Sequence, residues 1–240
     1  MISEGLRGAI ELLLEEGEGK YIKEELHGAT YTNKDLIRIE APTAGHMKTT
    51  TLTSIVDYIK ENVDSSAEGN IIVHIESYNQ VSIKKELNAD KRRECLVIAQ
   101  ALTPNIVTDR FIDPERFNIM LQSAFVENED RAKLLKVSGN IKEENVKSVG
   151  DDGISQSAAI KVGVSSVAEV KIPNPVILAP FRTFPEIEQP ESKFIFRMQS
   201  GPQAALYEAD GGAWRNVAME SIKEYLKARL EGLDNVKVIS

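Results

Sequence analysis

Between residues 71 and 102 three β-rich runs follow one another with very little chain between them. Ile71–Glu76 is dense in β-branched residues. Val81, Ile83 and Leu87 mark one face of a second run, with Lys85 interrupting the stripe, and Glu94–Leu102 forms a third. The links are Tyr78-Asn79-Gln80 and Asn88-Ala89-Asp90. Links this short join antiparallel neighbours, because a parallel return needs a crossover of about a dozen residues or more. A chain organised around such a meander is not a doubly wound nucleotide fold, where strands alternate with helices.

The remaining segments group in the same way. Residues 4–16 read as a helix capped by Ser3, with Leu6, Ile10, Leu13 and Leu14 on one face and Gly17 and Gly19 as the stop. Extended segments are expected at 21–26 and 35–40, then a loop through Pro42 and Gly45. Leu52, Ile55, Val56, Ile59 and Val63 make the stripe of a second helix, which follows the capping residues Thr49, Thr50 and Thr51 and ends near Asn62. Asp113-Pro114 opens a third helix, since proline's missing N–H costs nothing in a first turn. Its buried face is Phe117, Met120, Leu121 and Phe125, and a fourth helix runs from Glu129 to Val137 before Gly139. Strands are expected at 146–149 and 154–162 around the Asp151-Asp152-Gly153 turn, at 167–172 and 176–178 beside Pro173 and Pro175, and at 194–199 and 203–209. Asp210-Gly211-Gly212 then breaks the chain before a long helix that buries Trp214, Val217, Ala218, Ile222, Tyr225, Leu226 and Leu230. A short strand at 235–239 follows. The expected class is α+β, with antiparallel meander and hairpin sheets packed against several helices and a long C-terminal helix. The 240 residues suit one domain, with a candidate lobe boundary near Gly139-Asn140 between a helix and meander lobe (1–139) and a strand-rich lobe (140–240).

Composition narrows the function classes. At 42% hydrophobic and 28% charged residues the chain carries enough apolar surface for a core without staples. A net charge of −8 gives no general attraction for a phosphate backbone, so a nucleic-acid role needs a local basic patch. The one cysteine, Cys95, has no partner for a disulfide or a zinc site, and its apolar run to Ala99 reads as a small buried hydrophobe. No run approaches the roughly 18 apolar residues of a membrane helix, and Met1–Arg7 lacks the pattern of a secretion signal. The expected location is therefore the cytosol, with no membrane partner.

No set of side chains is spaced for bond chemistry. Ala44-Gly45-His46-Met47-Lys48-Thr49-Thr50 lies where a phosphate loop would, but only two residues separate Gly45 from Lys48 and the first glycine is missing, so it reads as a loop with threonine caps. Lys48 beside a helix start stays a candidate anion contact. His27, His46 and His74 have no metal-ligand spacing, and His74 within a strand reads as a hydrogen-bonded structural histidine. Asp151, Asp152, Glu127, Glu129 and Asp130 suit a turn and a helix start rather than a calcium loop. No nucleophile elbow is present. Five basic residues, Lys84, Lys85, Lys91, Arg92 and Arg93, would gather at one end of a hairpin if the second and third strands pair. They are the candidate nucleic-acid contact, weighed against lysines that guard a solvated strand edge.

The order of segments resembles that of the YfdQ-like family of phage and prophage proteins. The resemblance is carried by Leu52-Thr53-Ser54-Ile55-Val56-Asp57-Tyr58-Ile59 with the meander behind it and by Phe117-Asn118-Ile119-Met120-Leu121-Gln122. The Asp152-Gly153-Ile154-Ser155-Gln156 hairpin leading to Val170-Lys171-Ile172-Pro173 and Ala179-Pro180-Phe181 completes it. It spans roughly residues 50–230 and departs around Pro185–Pro190 and at the N-terminus. It implies a phage or prophage origin and action in the host cytosol, and it brings no catalytic residues with it.

The sequence thus points to a non-enzymatic accessory protein, with no cofactor and no metal, that works by self-assembly or binding. A homo-oligomer formed through the proline-bounded strands of Val167–Leu178 is the first expectation. Nucleic-acid binding through the five basic residues is the second. Capture of a small anionic metabolite or signalling nucleotide, with Arg182 and Arg197 as candidates beside Lys48, is the third.

Overall fold

A computed structural model of the chain describes residues 4–17, 23–26, 29–32, 45–66, 69–88, 91–139, 149–151, 156–161, 167–171, 174–199 and 203–240. It divides into two compact units, 1–43 and 44–240. In the first, helix α1 (Glu4–Gly17) is accompanied by an antiparallel pair, β1 (Lys23–Leu26) and β2 (Ala29–Thr32), with Lys23 opposite Thr32. The strand expected at 35–40 lies outside the described residues.

The second unit begins with β3 (Met47–Thr49) and α2 (Leu52–Lys60). Three strands follow, β4 (Ile71–Ser77), β5 (Gln80–Leu87) and β6 (Arg93–Gln100), and then helices α3 (Pro114–Ala124) and α4 (Glu129–Gly139). Next come β7 (Val149–Asp151), β8 (Gln156–Lys161) and β9 (Val167–Lys171), an antiparallel sheet of its own. β10 (Val176–Leu178), β11 (Ser192–Gln199) and β12 (Gln203–Glu208) form a third sheet, and α5 (Trp214–Arg229) and β13 (Val236–Ile239) close the unit.

The expected α+β class is the observed one, and the meander forms as β4–β5–β6 with both pairs antiparallel. Its sheet is nonetheless mixed. Its order is β13-β4-β5-β6-β3, and both edge strands run parallel to their neighbours. Tight turns name their own strand pairs; partners distant in the chain carry no such local mark. The segment around Lys48, expected as a loop, contributes the edge strand β3. The cap of α2 is Thr51, whose Oγ1 accepts from the Ser54 amide at 3.3 Å. At α3 the expected Asp113 cap is in place, its side chain accepting from the Arg116 amide at 2.9 Å.

Alternation then decides which faces are buried. Ile71, Val73 and Ile75 of β4 and Val81 and Ile83 of β5 turn to one face, where Leu52, Ile55 and Ile59 of α2 and Ile222 and Leu226 of α5 cover them. A second cluster packs Phe117 and Leu121 of α3 and Leu134 and Val137 of α4 on Phe194, Phe196 and Leu206 of the β10-β11-β12 sheet. Each cluster draws on residues from both sides of Gly139. Several expected core residues are out of place. Leu87 is 55% exposed, because the β5–β6 register shifts near the sheet end, and Val217 on α5 is 54% exposed. Val63 is exposed in a short 3-10 turn beyond the end of α2. Among the described residues no helix is long and apolar enough to cross a membrane.

Candidate functional site

The segment between β10 and β11 carries an unusual load of buried polar groups: Arg182, Thr183 and Gln189, with Ser192 at its end. Buried backbone must find partners, and Gln189 supplies them. Its Oε1 accepts from the amides of Arg182 (3.0 Å) and Thr183 (3.2 Å), and its Nε2 donates to the Phe184 carbonyl (3.1 Å). The Thr183 hydroxyl donates to the carbonyl of Tyr78 in the β4–β5 turn, and Phe184 enters the α2/α5 core. This segment therefore stitches the five-stranded layer to the three-stranded one, and a cleft of about 360 Å³ opens along the seam.

Arg182 lies at the bottom of that cleft. It is 7% exposed, donating from Nη1 to Glu208 Oε1 (3.0 Å) and from Nη2 to Ser192 Oγ (2.6 Å) and the Pro190 carbonyl (3.2 Å). Its guanidinium carbon stands 3.6 Å from the ring centroid of Trp214, which is 4% exposed. Burial pulls the guanidinium down to about 10, opposed by the carboxylates of Glu208 and Asp210 and reinforced by the like charge of Arg215. Tyr78 meets Trp214 edge-on at 4.7 Å. Above them Arg215, exposed on α5, lies 5.1 Å from the Trp214 ring and 5.9 Å from that of Tyr78. Cation–ring contacts contribute about 0.5–2 kcal/mol each, more when dry, so the pile is a cohesive group.

The pile is not fully satisfied. Arg182 Nε and Trp214 Nε1 are buried donors with no acceptor in reach among the described residues, and both side chains line the cleft. An unpaired buried donor costs about 1–3 kcal/mol. A donor of this kind can be met by water or by a ligand atom that enters the cleft. Arg215 makes its ring contacts but no ion pair among the described residues. Thr108 and Asp109 sit on the opposite rim, the Thr108 hydroxyl donating to Asp109 Oδ2 at 3.3 Å. A larger groove of about 790 Å³ runs past Arg110 and Arg116 at the start of α3, yet both arginines there are exposed and no buried charge converges on it. Among the described residues no cluster of histidine, cysteine and carboxylate side chains could hold a metal.

The candidates named from sequence scatter. Arg182 is the floor of the cleft, whereas Arg197 is on the other face of β11, donating to the Phe196 carbonyl at 3.2 Å. Lys48 is exposed on β3, opposite Ile98. β5 and β6 do pair, but Lys84 faces away from the core and is held by Glu76 at 2.8 Å and by His74 Nδ1 at 3.2 Å. Lys85 points to the other face, opposite Ile71. Lys91, Arg92 and Arg93 are exposed at the hairpin tip. The five charges thus share no single surface. His74 is hydrogen-bonded as expected; Cys95 is half-buried rather than buried, and burial pushes its thiol up.

The expected assembly edge is partly closed. β9 and β10 are edge strands of their sheets, but the amide of Ile177 in β10 donates to Asp130 Oδ2 (2.9 Å) and its carbonyl accepts from Asn128 Nδ2 (2.9 Å). Tyr78, Asp109, Trp214 and Arg215 were not legible as a site. Tyr78 reads as a turn and Trp214 as helix core, and the only local signal is the chain's one tryptophan beside an arginine after two glycines. No protein-family model, no curated protein and no solved structure matches this chain.

Proposed function

We propose that this protein works by binding, and that the seam cleft takes a small anionic ligand. The observation that supports this most is the division of labour between two arginines on one tryptophan. Arg182 is already neutralised by Glu208 and shapes the floor, while Arg215 brings an uncommitted guanidinium to the rim. A guanidinium fork is suited to a carboxylate or phosphate, which it grips through two parallel hydrogen bonds. The volume is near the lower end of the range for small-molecule sites, about 300–1,000 Å³. The resemblance to phage proteins acting in a host cytosol agrees with capture of a soluble host metabolite.

Trp214 is the only tryptophan and lines the cleft, so its emission senses a ligand there. Comparison with Arg215→Ala separates that signal from one in the neighbouring hollow by Lys193 and Asp210, which Trp214 also lines. Wild type and Arg215→Ala are titrated with inorganic phosphate, citrate and a set of nucleoside monophosphates, following emission and melting temperature. At least one probe should give a saturable emission change and raise the melting temperature by mass action. Arg215→Ala should weaken that probe roughly tenfold or more. If no probe perturbs Trp214 at millimolar concentration, the reading fails.

A further inference from the structure

We infer that the ligand class of the seam cleft is a nucleoside monophosphate, an inference that rests on the anion-site reading above. Three features of the cleft select it. First, the cleft offers one uncommitted cation and several carboxylates. Arg215 is the cation, and Asp109 and Glu208 line the same space, with Asp210 close enough to act on Arg182. One guanidinium can hold one phosphate, while a polyphosphate tail would extend its charge toward those carboxylates. Second, the wall beside the charge is aromatic, with Arg215 5.9 Å from the Tyr78 ring. Tyr78 is part-exposed and braced edge-on by Trp214, which fixes its ring as a platform for a planar base. Base–aromatic stacking tolerates any base, so selectivity must come from the rim. Third, the rim carries an acceptor. Asp109 is exposed, its carboxylate accepting from the Thr108 hydroxyl at 3.3 Å. A carboxylate there accepts from a base with an exocyclic amino group.

Gly212 fixes the position of the phosphate-binding group. A Cβ on Gly212 would stand 2.2 Å from Arg215 Nη1, so the guanidinium occupies the space that the missing side chain leaves. The cleft's size, about 360 Å³, suits one nucleotide rather than two.

The test titrates the full chain with AMP, GMP, CMP and UMP, with adenosine, with inorganic phosphate, with citrate and with ATP, reading Trp214 emission. The expected result is that AMP, GMP or CMP binds roughly tenfold or more tightly than phosphate and than adenosine, and that ATP binds no more tightly than AMP. UMP should be the weakest monophosphate, and Asp109→Asn should narrow its gap to the best amino-bearing base. Phosphate binding as tightly as the best monophosphate would overturn the nucleotide inference and leave the anion reading standing. So would ATP binding more tightly than AMP. Citrate binding while every nucleotide fails has the same consequence. Adenosine matching AMP would remove the role of Arg215, and silence from every probe, citrate included, would end both readings.

Discussion

At the scale of single residues the seam depends on a glycine. Gly212 has φ +82°, in the left-handed region that residues with a Cβ rarely adopt, and the same missing Cβ makes room for the Arg215 guanidinium. The two effects can be separated. Gly212→Ala should cost about 1–2 kcal/mol from backbone strain, read as a lower urea midpoint with an unchanged slope. The displaced side chain is flexible, so the clash itself should add little to that cost. It should instead move the guanidinium and weaken the anion that Arg215 holds. A variant that loses stability but keeps full affinity would show that Arg215 does not need this position. Little of this group is readable along the chain. Arg182 stands out as an arginine near apolar strands, but Tyr78, Asp109, Glu208 and Arg215 lie in four separate segments. Their meeting is a property of how the layers join. Conversely Arg197, an equal candidate by composition, faces away because it is at the odd position of β11, one residue past Phe196.

At the scale of elements the sheet edge beside α4 shows a side chain with two jobs. Asp130 reads as a helix-start acid, favourable to the N-terminal dipole, and it is in the first turn of α4. Its carboxylate also accepts from the Ile177 amide at 2.9 Å and pairs with Lys133 at 2.9 Å. Burial would raise the Asp130 carboxyl, but the Ile177 amide and Lys133 outweigh it and hold the group below the usual carboxylate range. A depressed carboxylate stabilises the fold above its unfolded value, and that contribution disappears as pH falls through the folded value. Asp130→Ala should therefore cost about 2 kcal/mol at neutral pH, the size of a hydrogen bond to a charged group. Asp130→Asn should cost less, since an acceptor remains, and should flatten the acid limb of stability below the ordinary aspartate range. Urea midpoints measured from neutral pH down through that range would detect both. An acid limb equally steep in Asp130→Asn and wild type would place the titration elsewhere. The helix start was legible because its signals lie within one turn of chain; the strand cap was not, because Ile177 is 47 residues away.

At the scale of the whole molecule, legibility follows distance along the chain. The meander and the Asp113-Pro114 cap are encoded by neighbours and form between the expected segments. At the expected hairpin β7 and β8 pair, but Asp151 belongs to β7, opposite Gln156, and residues 146–148 and 152–155 lie outside the described residues. The parallel edges β3 and β13 depend on partners about 50 and 165 residues away, and no local periodicity names them. The same logic governs cooperativity in the unit 44–240. Two apolar clusters could behave as two folding units, because each has its own sheet and helices. The seam argues against that. Phe184 is in the α2/α5 cluster, yet the chain leaves it for Phe194 in the other cluster, and Thr183 is tied to the Tyr78 carbonyl between them. Opening either cluster alone would strip partners from Arg182 while the other layer still covers it, because those partners are Pro190 and Ser192 at the end of this segment, Glu208 of β12 and Trp214 of α5. An uncompensated buried charge costs several kcal/mol, which is comparable with the total stability of a domain. Leu121→Ala and Ile55→Ala, at fully buried positions in the two clusters, should each cost about 2–5 kcal/mol. Each should shift the urea midpoint of Trp214 emission together with the protection of amides in both β5 and β11 against hydrogen exchange. If Leu121→Ala lowered protection in β11 alone and left β5 at its wild-type value, the layers would unfold separately and the seam would be a contact surface rather than the link that makes them one unit.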